Sequence, residues 1–150
     1  MNQVLAAEDF LTEAELKQVR EAVGKAEERT SGEIRVHLED HIEEDVLDHA
    51  AFIFEELGMH RTRDRNGVLI YLSVADRKVA VVGDQGINAR VPANFWNDVV
   101  AVLKLHLAAG KRADGLMEAV HMVGEKLRAF FPLLPDDRNE LPNDVSFGGR

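Results

Sequence analysis

Two apolar runs separated by four residues constrain this chain more than any other feature. The first, "VLIYLSV", spans Val68 to Val74; the second, "VAVVG", spans Val79 to Gly83. Only Ala75-Asp76-Arg77-Lys78 lies between them, and so short a connection can join only antiparallel neighbours. The first run has no polar alternation, which predicts a central strand buried on both faces. Upstream, Ile34, Val36 and Leu38 alternate with charged or polar residues, the pattern of a half-buried strand. A helical segment separates that strand from the hairpin, so the two should run parallel.

The helices are read from their ends. Thr12-Glu13-Ala14-Glu15 is a capping box, with Leu11 and Leu16 placed to form a hydrophobic staple. Leu16, Val19, Val23 and Ala26 then line one face of a helix that stops near Thr30-Ser31-Gly32. The acids of "EDHIEEDVLD" gather where a second helix would begin. Its core face is read as Leu47, Ala50, Ala51, Phe54 and Leu57, with Gly58 just past its end. A third helix is expected from about Ala93 to Ala108, after Pro92 and before Gly110. A fourth carries Leu116, Val120, Val123, Leu127 and Phe130, and Pro132 ends it. The order is α-β-α-β-β-α-α, which predicts an α/β sandwich with a small mixed sheet covered on both faces. Residues 1–132 form one domain in this reading, and residues 133–150, rich in Pro, Asp and Asn, an extended tail.

The charge narrows the partners. Eighteen Lys and Arg against 27 Asp and Glu give a net charge of −9, a surface that repels nucleic acid and anionic lipid. The densest basic stretch, His60 to Arg65, is short and lacks interleaved aromatics, so no nucleic-acid partner is expected. With no cysteine, disulfides, thiolate-bound metal and thiol catalysis are excluded. The first residues lack a basic n-region and a long apolar core, so a cytoplasmic location without membrane insertion is expected.

The topology gathers three loops. If the first two strands are parallel, their amino ends share one sheet edge, and the third strand returns its carboxyl end there. Ser31, Gly32 and Glu33, then Asp64, Asn66 and Gly67, then Gly83, Asp84, Gln85 and Gly86 would converge. Glu33, Asp64, Asn66 and Asp84 supply oxygen ligands of the kind that hard cations such as Ca²⁺ or Mg²⁺ take. Gly67, Gly83, Gln85 and Gly86, with Arg77 from the hairpin, are candidates for holding an anion through backbone N–H groups and a guanidinium. Gly83 to Gly86 matches neither a dinucleotide nor a Walker loop, and Asp84 would repel a bare phosphate. Asp, Asn and Gly are also the ordinary residues of turns, so a plain strand end remains the competing reading. Glu39, Asp40, His41, Asp76 and Arg77 would occupy the opposite edge. His37, His41 and His49 are read as solvated, since no zinc-binding spacing joins them.

Three segments, "TSGEIRV", "NGVLIYLSVADRKVAVVGDQGI" and "GKRADGLMEAVHMVGEKL", resemble the TPM-domain family. The likeness runs from about Leu11 to Phe131, and the tail "NELPNDVSFGG" is similar to the end of its short soluble subgroup. The resemblance implies a Rossmann-like three-layer α/β/α sandwich. It also implies divalent-cation binding, acid-phosphatase activity in some members, and roles in repair or assembly of membrane complexes. The positions that match are Glu33, Asn66, Gly67, Arg77, Asp84 and Gly86. Two functions are therefore expected: a divalent-cation-dependent phosphomonoester hydrolase, or a non-catalytic metal-binding accessory or protein-interaction module. The corresponding partners are a phosphorylated small molecule or a protein.

Overall fold

The computed structural model describes residues 5–133 and 145–148. A 3-10 turn, Ala7–Asp9, precedes α1 (Glu13–Glu27), whose amino end carries the predicted capping box: Thr12 accepts from the Glu15 N–H and Glu15 accepts in return. Then come β1 (Glu33–Glu39), α2 (Val46–Glu56), a 3-10 turn at Met59–Arg61, and the hairpin of β2 (Gly67–Ser73) and β3 (Lys78–Gly83). A short α3 (Gln85–Asn88), α4 (Phe95–Ala108) and α5 (Arg112–Phe130) follow. Val145–Gly148 forms β4.

The sheet order is β3-β2-β1-β4. β1 is parallel to β2 and to β4, and β2 is antiparallel to β3, as the connection lengths require. The stretch expected to be an extended tail thus supplies a sheet strand at residues 145–148. Its remainder from 134 to 144, and residues 149–150, lie outside the described residues.

Side-chain alternation divides the molecule into three layers. Ile34, Val36, Leu38, Val68, Ile70 and Leu72 face a large core shared with α1, α4 and α5. The other sheet face packs Leu69, Tyr71 and Ala80 against Ala50, Phe54 and Met59 of α2 and its following turn. The α/β/α sandwich is the architecture expected from the order of elements.

Two local readings change. Leu47 is 57% exposed and Ala51 is exposed, whereas His49 is buried on the inner face of α2. Asp45 caps this helix, accepting from the N–H groups of Leu47 and Asp48, and so fixes which face meets the sheet. The alternating strand is also buried on both faces: His37 and Glu39 lie beneath the surface along with Ile34, Val36 and Leu38. Polar alternation predicts solvent on the second face, but the neighbouring layer covers it.

Candidate functional site

The three loops converge as the topology dictates. At the amino end of β1 and β2, the Asn66 side-chain N–H donates to Ser31 Oγ at 3.2 Å, and the Glu33 N–H reaches the Asn66 carbonyl at 3.4 Å. The Gly86 N–H donates to the Arg65 carbonyl at 2.8 Å, joining the third loop to the second.

The side chains there are largely engaged. Arg65 grips Asp84 at both oxygens, 2.7 and 2.9 Å away, and Asp84 also caps α3 by accepting from the Gln85 N–H at 2.8 Å. The same ion pair raises the pKa of Arg65 further above its ordinary value, chiefly through the hydrogen bond to Asp84. Asp64 points outward and pairs with Arg63 at 3.3 Å. Glu33 is buried, as is Asn66. Among the described residues no group of three or more His, Asp or Glu side chains is arranged to hold a metal ion. One atom is unaccounted for: the buried Asn66 Oδ1 has no hydrogen-bond partner.

The glycines of these loops serve close approach. Gly67 lies against the Met59 carbonyl, Gly83 against the Trp96 ring, and Gly86 against the carbonyls of Asp64 and Arg65. Trp96 in turn donates its Nε1–H to Asn88 at 2.7 Å, which closes α3 and the Gln85 loop over the strand end. The loop's N–H groups at Gln85 and Gly86 bond to Asp84 Oδ1 and the Arg65 carbonyl. Arg77 lies in the hairpin between β2 and β3, at the far end of the sheet.

That far end carries more chemistry than the sequence suggests. The connection from β1 to β2 runs over one face through α2, while the helix preceding β4 packs on the other. In open α/β sheets such a reversal opens a crevice at the carboxyl ends of the strands, where ligands bind. Here that position falls between β1 and β4, where Glu39 pairs with Gly148 and is buried. Glu39 Oε1 accepts from the Tyr71 hydroxyl at 2.5 Å and faces His49 Nε2 at 2.8 Å. His49 Nδ1 meets Glu44 Oε1 at 2.6 Å, and the Glu44 side chain is 56% exposed. A continuous hydrogen-bonded path thus leads from a solvated carboxylate to a buried tyrosine.

His37 stands beside this path. Its Nδ1 bonds to Ser146 Oγ at 2.7 Å and its buried Nε2 has no partner. Burial pushes its pKa down; the Glu39 charge opposes this, while Arg35 and His49 add to it. Further along the edge, Asp76 accepts from the Ser73 hydroxyl, the Ile42 N–H and His41. These bonds, Ser73 first, hold its carboxyl down to about 2, against an opposing effect of burial.

His37, Glu44, His49, Tyr71 and Ser146 were not among the predicted site residues. The legible signal was His49, set among Val46, Ala50 and Ile53 on what becomes the inner face of α2. A helix that buries a histidine must offer it partners, and the polar side of β1 is the place to look for them.

A small sheet of this order, with one helix on one face and the rest on the other, defines a compact α/β/α domain. The TPM domain family model matches residues 4–126, and the chain belongs to that family. It is similar to the BA42 protein of the psychrophilic bacterium Bizionia argentinensis, with 42% identity over 94% of this chain and 97% of that one, and a TM-score of 0.87. The N-terminal domain of a P. gingivalis protein shares the fold at a TM-score of 0.63 and 16% identity, covering 85% of this chain and 94% of that one. No curated protein matches the chain. No described helix is long and apolar enough to cross a membrane.

Proposed function

We propose that the chain acts as a non-catalytic accessory module of the TPM family, one that binds a partner or ligand without turning it over. The observation that carries this reading is the two-point ion pair of Arg65 with Asp84. A carboxylate neutralised by a guanidinium and engaged as a helix cap is poorly placed to polarise a phosphoryl group through a cation. The protein partner remains the partner class of this reading, and a cytoplasmic location accords with it.

A divalent-cation-dependent phosphomonoester hydrolase is the second reading, favoured by the buried Asn66 Oδ1 that lacks a donor. It agrees with the name of the family model, which carries the word phosphatase. Ca²⁺ or Mg²⁺ remains the cation this reading requires, with a phosphorylated small molecule as its substrate.

Titration of the purified protein with Ca²⁺ and Mg²⁺, followed by amide shifts at Asn66, Gly67 and Gly86, together with a phosphomonoester assay, separates the two. The accessory reading expects no metal-dependent turnover that distinguishes wild type from Glu33→Gln. Turnover that requires the metal and is lost in a folded Glu33→Gln variant would overturn it.

A further inference from the structure

At the carboxyl end of β2, on the face covered by α4 and α5, the hairpin, the segment flanking the amino-terminal 3-10 turn and the facing ends of α4 and α5 border an open cavity of about 1040 Å³. Its floor is apolar, built from Phe10, Leu72, Val79 and Leu107. Four cations line it, Arg77, Lys78, Lys104 and Arg112, and no carboxylate of the described residues does. This segregation occurs in a chain whose net charge is −9.

The cations have little to hold. Arg77, Lys78 and Lys104 make no ion pair with any described residue. Arg112 donates one N–H to the Phe10 carbonyl at 3.1 Å and lies 4.8 Å above the Phe10 ring centre, which fixes its guanidinium against the floor. A guanidinium presents five donors, so most of its hydrogen-bonding capacity stays available. The nearest hairpin acid, Asp76, is drawn away by Ser73, Ile42 and His41. Like charges gathered without a counter-charge repel one another, and a bound anion would relieve that repulsion.

Two described residues other than glycine have a positive φ, Arg65 at 51° and Arg77 at 54°, and the second borders this cavity. This is a left-handed conformation that glycine or asparagine adopts far more readily. A bulky residue kept in that region is the kind of outlier from which a functional constraint is inferred.

We propose that this cavity binds a small amphiphilic anion, a carboxylate or phosphate head on an apolar body, with the head among Arg77, Lys78, Lys104 and Arg112 and the body on Phe10, Leu72, Val79 and Leu107. The volume is at the upper end of the range for small-molecule sites, and an apolar floor with a few convergent polar groups is their usual lining. Cations alone would suit any anion; the floor selects one with a hydrocarbon or aryl portion. The inference concerns the end of the sheet away from Glu33 and Asp84, and it goes beyond the accessory reading and does not depend on it.

Titration of the full chain with octanoate, octyl phosphate, octylamine, inorganic phosphate and a tetraglutamate peptide, read by amide shifts at Val74, Val79 and Ala108, tests it. Saturable shifts with octanoate or octyl phosphate are expected, and the tighter of the two identifies the head group. Lys104→Glu should weaken that binding roughly tenfold, while Lys17→Glu, the same charge change on α1, should leave it within about twofold. The proposal is overturned if neither octyl anion binds at millimolar concentration, or if octylamine binds equally well. Inorganic phosphate or tetraglutamate binding as tightly as the octyl anions would also overturn it, because the apolar floor would then contribute nothing.

Discussion

The two ends of the sheet use their charged residues in opposite ways. At the amino end of β1 and β2, acid and base are matched inside the loops: Arg65 with Asp84, Arg63 with Asp64. At the carboxyl end they are sorted across the sheet. Carboxylates and histidines gather on the α2 side, around Glu39 and Asp76, and cations without an ion-pair partner among the described residues line the cavity on the α4 side. Convergence of polar loops is thus not by itself a site. Each end keeps a buried polar atom without a partner, Asn66 Oδ1 and His37 Nε2; what distinguishes the carboxyl end is charge left unmatched among the described residues.

The comparison is broken most severely by adding bulk at the matched end. A Cβ at Gly86 would approach the Arg65 carbonyl to 2.6 Å and the Asp64 carbonyl more closely still, with backbone on both sides that cannot swing away. Gly86→Val should cost about 3 kcal/mol or more in chemical denaturation, as severe overpacking does. A loss below about 1 kcal/mol would mean that the loops are looser than this packing requires.

At the other end the leading test is removal of Glu39. Its Oε1 serves both Tyr71 and His49, each buried. Glu39→Ala leaves a hydroxyl and a ring nitrogen without that acceptor and should destabilise by about 2 kcal/mol. Tyr71→Phe removes one donor and should cost about 1 kcal/mol, because His49 still satisfies the carboxylate. Equal losses in the two variants would show that the Tyr71 hydrogen bond accounts for the whole of Glu39's contribution and that His49 adds nothing.

How much of this was legible in the sequence follows from the reach of each signal. Connection lengths dictated the parallel and antiparallel pairings, and Thr12 with Glu15 marked the start of α1, because these are local rules. The loops that converge at the amino end were legible too, since pairing direction alone puts them together. Their engagement was not: nothing near Asp84 in the chain announces Arg65 as its partner, 19 positions away. The burial of His37 and Glu39 was hidden for the same reason. It depends on how α2 lies across the sheet and on β4 arriving beside β1, where Gly148 sits against Glu39 Oε2 at a distance a side chain could not tolerate. The cavity joins residues from the hairpin, the amino-terminal turn and the ends of α4 and α5, and no periodicity links those segments.

Acid separates the two titrating groups at the carboxyl end. The Asp76 carboxyl lies below its ordinary value when folded, so it binds its proton less readily than in the unfolded chain. Its contribution is complete above pH 3.8 and is lost as pH falls through about 2. His37 is also lowered, so the unfolded chain takes up its proton first, and stability declines as pH drops below about 6.5. Denaturant midpoints from pH 8 down to about 2 should therefore show two declines. Asp76→Asn should shrink the acidic one, to which Glu125, lowered by its Arg128 hydrogen bond, still contributes, and leave the other; His37→Gln should flatten the decline near neutral pH. A single decline insensitive to both substitutions would place the titration elsewhere.

The smallest effect is the most telling for the cavity. Arg77 keeps a left-handed backbone at φ of 54°, which for a residue with a Cβ costs about 1 kcal/mol that glycine does not incur. Arg77→Gly should therefore stabilise the hairpin by up to about 1 kcal/mol, less the extra freedom glycine gives the unfolded chain. The same substitution removes one of the four cations facing the cavity and should weaken octanoate or octyl phosphate binding. A gain in stability paired with a loss of affinity is the signature of a strained residue retained for its charge. If Arg77→Gly raises stability and leaves anion binding unchanged, the strain serves the turn alone and the anion is held by Lys78, Lys104 and Arg112.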